Sequence, residues 1–167
     1  PGFTILDRGD AEDLIALVRA QLGLNEKDKR FPRKGTIAEM FSKAENTLRP
    51  LAEIVVEEFD HFSDHLDALE QLQRGYQASK RQRQLVDYDD LLVLLRRLVM
   101  EDEGIRRTIS SLYRYILVDE YQDTNRLQAD VVRHLASTHQ NVMVVGDDAQ
   151  SIYAFRGATF KNIMEFP

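Results

Sequence analysis

The chain has 167 residues, 43% of them hydrophobic and 30% charged, which is enough apolar side chain for a real core and too much charge for a membrane protein. The net charge of −6 argues against a dedicated nucleic-acid-coating domain, which is ordinarily basic. Zero cysteines exclude disulfides, thiolate metal sites and cysteine nucleophiles.

The longest apolar run, Leu91–Leu95, is followed by Arg96 and Arg97 and is far too short for a membrane span. No signal-peptide pattern is present, so a cytoplasmic setting without membrane partners is the expectation. A start at Pro1 without methionine and a stop at Pro167 suggest an excerpt of a longer protein. Charge is uneven along the chain. Lys27, Lys29, Arg30, Arg33 and Lys34 form one basic stretch, and Arg74, Lys80, Arg81 and Arg83 form another, with an acidic stretch between. Each reads first as a solvated face.

In chain order, Asp10 can cap a helix carrying Leu14, Ile15, Val18 and Leu22, which Gly23 and Asn25 would stop. Residues 25–35 read as a charged loop containing Pro32. Thr36 and Glu39 have capping-box spacing for a helix to about Leu48. Pro50, as a first helical residue, opens a long pattern from Ile54 to Tyr76 with a break near Ser63. Everything to this point is predicted helical. His61 and His65, four apart with Asp60 and Asp64 nearby, would share a helix face and form a weak candidate metal pair.

From Asp87 the character changes. A capped apolar helix with Leu91, Leu92, Leu94, Leu95 and Leu98 precedes a short helix over 104–112. Tyr115–Val118 and Val142–Val145 are short continuous apolar runs of the kind found in buried parallel strands. The segment between them, capped by Thr124, carries Leu127, Val131 and Leu135 at helical spacing. Strand, helix and strand within about thirty residues make a βαβ unit with a right-handed crossover.

Both strands run into acids, Asp119-Glu120 after the first and Gly146-Asp147-Asp148 after the second. Ligands of open parallel sheets bind at the carboxyl ends of the strands, so the two clusters face one site. Asp119 suits a magnesium ion held through nucleotide phosphates, since Mg²⁺ needs only one or two protein carboxylates. Glu120 beside it is placed to orient and deprotonate an attacking water. Acids after a strand can also just cap the next helix, but Asp123-Thr124 is available for that.

The segment Val118-Asp119-Glu120-Tyr121-Gln122-Asp123-Thr124-Asn125 resembles motif II of the UvrD/Rep/PcrA superfamily 1 DNA helicases. The run from Val145 through Gly146-Asp147-Asp148-Ala149-Gln150-Ser151-Ile152-Tyr153-Ala154-Phe155-Arg156-Gly157-Ala158 resembles their motif III. Asp87-Tyr88-Asp89-Asp90-Leu91-Leu92 is similar to the segment leading back into their first motor domain, and Phe3–Asp7 to the start of their 1B subdomain.

The resemblance implies an α/β, predominantly helical chain. Residues 1–86 would be an all-α 1B-like insertion subdomain. Residues 87–167 would be part of a RecA-like P-loop NTPase parallel-sheet domain, motor domain 1A. It further implies that Asp119 holds Mg²⁺, Glu120 activates water, Asp147 and Gln150 meet the nucleotide with Gln150 sensing the γ-phosphate, and Tyr153, Phe155 and Arg156 grip single-stranded DNA. ATP and Mg²⁺ are the implied cofactors. Single-stranded and duplex DNA and the remainder of a helicase chain are the implied partners, with 3′→5′ unwinding. Ala149 departs from an acid in many relatives, and Phe155 from a tryptophan in several.

A P-loop requires Gly-Lys-Ser/Thr, and this chain contains no Gly-Lys dipeptide. The arginines of a second motor domain are likewise missing, so the fragment alone is expected not to hydrolyse ATP. Two readings from other classes stand beside the helicase. One is a metal-dependent nuclease using Asp119, Glu120, Asp147 and Asp148, and the other is a non-enzymatic DNA-docking module.

Overall fold

A computed structural model describes residues 2–24 and 30–147. Asp148, Gln150, Tyr153, Phe155 and Arg156, with Lys27 and Lys29 of the first basic stretch, lie outside the described residues. The chain divides into two compact units, one of residues 1–45 and 49–91, the other of 46–48 and 92–167.

The first unit opens with β1 (Thr4–Ile5) and α1 (Arg8–Gln21). The cap of α1 is Asp7, whose carboxylate accepts from the Asp10 amide at 2.8 Å, rather than Asp10 itself. An extended residue with a short carboxylate side chain suits this position, and Asp10 then lies in the first turn, where its charge favours the helix dipole. Helix α2 (Lys34–Thr47) begins before Thr36, so Thr36 and Glu39 fall inside its first turns and not at a capping box. Pro50 is the residue before α3 (Leu51–Glu58).

The expected break near Ser63 is a 3-10 helix over Asp60–His65, after which α4 (Leu66–Arg83) runs to Gln84 in the left-handed conformation. At three residues per turn, positions four apart do not stack. His61 and His65 therefore lose the face the metal reading needed. The His65 ring instead lies tilted against Phe31 (centroids 5.2 Å apart) and the His61 ring tilted against Phe62 (4.0 Å).

The core of this unit is apolar stripes at helical spacing. Leu14, Ile15 and Val18 of α1, Ile37, Met40 and Phe41 of α2, Ile54 and Val55 of α3, and Leu69 and Leu72 of α4 are all buried. Each such side chain contributes about 1.5–3 kcal/mol by leaving water, before the entropy of ordering it is charged. Arg19 lies 4.3 Å over the Phe31 ring and donates to the carbonyls of Leu24 and Pro32.

Two further features of this unit depart from the sequence reading. First, β1 pairs in parallel with β2 (Leu85–Val86), Thr4 opposite Leu85 and Ile5 opposite Val86, within a stretch expected to be wholly helical. Second, Lys80, placed by its neighbours on a solvated basic face, is 3% exposed at its side chain. Its ammonium meets Asp87 Oδ2 and Asp90 Oδ2, each at 2.6 Å, and sits 4.4 Å from the Tyr76 ring. The Tyr76 hydroxyl donates to Asp87 Oδ2 at 2.8 Å. Burial disfavours the Lys80 charge, but Asp87 and Asp90 outweigh it and hold the amine above its ordinary value. Burial pushes the Tyr76 hydroxyl up, and the Asp87 charge pushes it further. Asp87 and Asp90 also cap α5 (Tyr88–Glu101) reciprocally, each carboxylate accepting the other's amide.

The second unit holds α6 (Glu103–Leu112), capped by Asp102, then β3 (Ile116–Val118), α7 (Arg126–Leu135) and β4 (Val142–Val144). The βαβ unit is present, and β3 and β4 pair in parallel with Ile116 opposite Val142 and Val118 opposite Val144. Asn125, not Thr124, caps α7. It forms a full capping box with Gln128, while Thr124 closes the turn before it. The strands are not buried on both faces as the apolar runs suggested: Leu117 is 75% and Met143 59% exposed. Strand side chains alternate, and among the described residues only the face bearing residues 116, 118, 142 and 144 is partly covered. Arg96 of α5 donates to Asp130 of α7 at 2.7 Å, and Ser110 accepts the Thr138 amide. Among the described residues no helix is long and apolar enough to cross a membrane.

Candidate nucleotide site at the strand ends

The parallel ladder continues past the strands and brings the two acidic segments side by side. The Val145 amide donates to the Val118 carbonyl (2.8 Å), and the Tyr121 amide donates to the Val145 carbonyl (2.9 Å). Asp119-Glu120 and Gly146-Asp147 therefore leave the same edge of the sheet. This is the crevice position where open parallel sheets bind ligands. Three of the acids singled out from the sequence, Asp119, Glu120 and Asp147, follow these paired strand ends.

Asp119 and Glu120 are exposed. Asp119 Oδ1 accepts the Glu120 amide at 2.9 Å. Glu120 has φ of 53°, in the left-handed region that non-glycine residues seldom occupy. Such a conformation costs on the order of 1–3 kcal/mol and persists only where the surroundings impose it. Here the imposing structure is the 3-10 turn Tyr121–Asp123, whose Tyr121 and Gln122 side chains are buried. The turn begins at Tyr121, whose amide still bonds Val145, so Glu120 is held at the strand end before the chain enters α7.

Gln122 is a residue to which sequence reasoning assigned no role, and the fold places it between the two strand exits. It is 1% exposed, its Nε2 donates to Glu120 Oε2 at 2.5 Å, and its Oε1 accepts the Asp147 amide at 2.9 Å. A single side-chain amide thus spans the two strand exits. The available signal was an uncharged hydrogen-bonding residue two places after the candidate base, which has no chemical mark until the strands pair.

An exposed carboxylate at a strand end fits a magnesium ion, which keeps most of its waters and takes one or two protein oxygens. Asp119 meets that requirement. Asp119, Glu120 and Asp147 do not gather into a three-carboxylate ligand set. The group that does so among the described residues is Glu45, Asp87 and Asp89 in the first unit, with ligand atoms within 4.8 Å of one another. There, Lys80 already neutralises Asp87. Burial pushes Glu45 up to about 7, with Lys80 pulling it down and Asp87, Asp90 and Asp89 pushing it up.

The UvrD/REP helicase N-terminal domain family matches this chain over residues 1–167. The chain is 35% identical over 164 residues to the ATP-dependent DNA helicase PcrA of Staphylococcus aureus, covering 98% of the chain and 22% of that protein. It is 34% identical over 166 residues to the ATP-dependent DNA helicase PcrA of Leuconostoc citreum (98% of the chain, 21% of the relative). The identity is also 34% over 166 residues to DNA helicase II of Haemophilus influenzae (98% and 22%). The chain spans about a fifth of the length of the curated relatives it matches.

Proposed function

The chain belongs to the UvrD/REP helicase N-terminal domain family, and from that premise we propose that it forms part of an ATP-driven DNA helicase motor. Residues 87–167 supply the hydrolytic edge of motor domain 1A, and residues 1–86 serve as a 1B-like subdomain that leans on duplex DNA. The observation that carries this reading is the juxtaposition of the Asp119-Glu120 and Asp147 segments on one edge of a parallel sheet.

In this reading Asp119 holds Mg²⁺ and Glu120 acts on water. Held by Asp119, a magnesium ion would supply charge neutralisation at the phosphates. Glu120 accepts the proton of the attacking water, and the adjoining turn fixes where its carboxylate points. Asp147 and Gln150 contact the nucleotide, and an amide suits a γ-phosphate sensor because it donates to a phosphoryl oxygen without titrating. Tyr153 and Phe155 stack on bases and Arg156 pairs with phosphate, each stacked ring worth roughly 1–3 kcal/mol without reading sequence. Gln150 and Tyr153 are three positions apart, so one segment reports the nucleotide state to the DNA grip and drives translocation, in the 3′→5′ direction.

The chain has no Gly-Lys dipeptide and hence no P-loop, so hydrolysis requires residues beyond it. The expected outcome is no Mg-ATPase from the 167-residue chain, and hydrolysis stimulated by single-stranded DNA in the full-length protein. ATP-independent cleavage of DNA with Mg²⁺ or Mn²⁺ would favour a nuclease instead.

A further inference from the structure

We propose that Gln122 is a positioning residue that aims the Glu120 carboxylate and ties it to the main chain leaving β4. The inference rests on the helicase reading of this site and adds to it a buried residue that acts through Glu120.

The wiring has one orientation. The Asp147 partner is a backbone N–H, which can only donate, so the Gln122 oxygen must face it. The Gln122 nitrogen is then left for Glu120 Oε2, and an ionised carboxylate can only accept. The amide is therefore matched at its oxygen to the Asp147 N–H and at its nitrogen to the Glu120 carboxylate. At 1% exposure Gln122 has no access to water that could replace either partner. The Glu120 backbone is left-handed, so its side chain leaves the main chain in an unusual direction. The Gln122 bond constrains the far end. Asp147 lies three residues before Gln150 in the sequence. A shift of the main chain after β4 would therefore be felt at Glu120 through one side chain.

The test uses the full-length protein and single-stranded-DNA-stimulated ATP hydrolysis, with Gln122→Met, Gln122→Glu and Glu120→Gln measured alone and in combination. Met matches the length of Gln and carries neither donor nor acceptor. Glu keeps the acceptor for the Asp147 amide but sets a carboxylate against Glu120. A misaimed base is expected to cost roughly 10- to 100-fold in kcat. KM for ATP and the affinity for single-stranded DNA should stay within about twofold, and Gln122→Glu should be at least as impaired as Gln122→Met. In the Glu120→Gln background Gln122→Met should cost less than about twofold more, because the group it serves is already gone.

A role in packing alone predicts either that Met is tolerated or that its loss is equal in both backgrounds, and either result overturns the proposal. If Gln122→Met does not melt cooperatively, Gln122→Glu, the same size and polar, carries the same comparison. A wild type without DNA-stimulated hydrolysis removes the helicase reading and the proposal together. A stimulated wild type with a fully active Gln122→Met removes the proposal alone.

Discussion

The Lys80 ammonium lies 2.6 Å from Asp87 Oδ2, with its side chain only 3% exposed. Asp90 closes on the same nitrogen, and the Tyr76 ring covers it. A buried pair of this kind contributes little net stability against an apolar replacement, but breaking one side of it is costly. Lys80→Ala leaves Asp87 and Asp90 facing each other without a cation. The expected loss is roughly 3–5 kcal/mol, read as the shift in urea midpoint of the 167-residue chain. Lys80→Met combined with Asp87→Asn and Asp90→Asn should recover most of it.

Gly75 marks a second close approach. A Cβ at this position would stand 2.8 Å from Val18 Cγ1 and 3.3 Å from Leu22 Cδ1. On helix propensity alone, Gly75→Ala in the middle of α4 would gain about 1 kcal/mol. The contact with Val18 decides the sign, since overpacking costs typically 1–3 kcal/mol. Gly75→Ala should therefore lower the thermal midpoint, and adding Val18→Ala should restore it.

Glu45 supplies a pH dependence whose sign follows from burial. Its carboxyl is pushed from 4.5 to about 7 in the fold, first by burial and then by the balance of Lys80 against Asp87, Asp90 and Asp89. Between those values the native chain holds a proton that the unfolded chain has released. The contribution is fully present below about pH 4.5 and is lost as pH rises through 7. The wild type should lose roughly 1–3 kcal/mol relative to Glu45→Gln across that window. Gln77 Nε2, which donates to Glu45 Oε1, keeps an acceptor in the variant. Paired chemical denaturation curves at pH 5 and pH 8 check the difference.

What could be read before folding had its cause in local pattern or in chemistry. The apolar runs at Tyr115–Val118 and Val142–Val145 announced two parallel strands, and the acids after them marked the ends of those strands that the ladder brings together. Asp87 was legible as a cap because its partner Asp90 is three residues away. Pairings between distant segments left no such trace. Two residues are too few to show a period, so Thr4–Ile5 and Leu85–Val86 passed as parts of a helical stretch. Lys80 looked solvated because its neighbours Arg81 and Arg83 are exposed, and only the fold brings Asp87 and Asp90 around it. Gln122 acquires its role when Glu120 and Asp147, far apart in the chain, arrive at adjacent strand ends. The openness of Leu117 and Met143 was invisible for a related reason, since an apolar run says that a strand wants cover and not whether cover is present.

The most direct measurement of the helicase account is ATP hydrolysis by the full-length protein with and without single-stranded DNA, wild type against Glu120→Gln. The account predicts stimulation in the wild type and a loss of roughly 100- to 10,000-fold in kcat in the variant, with ATP binding retained. A folded, ATP-binding wild type that DNA does not stimulate, or a Glu120→Gln variant that turns over at the wild-type rate, would contradict it.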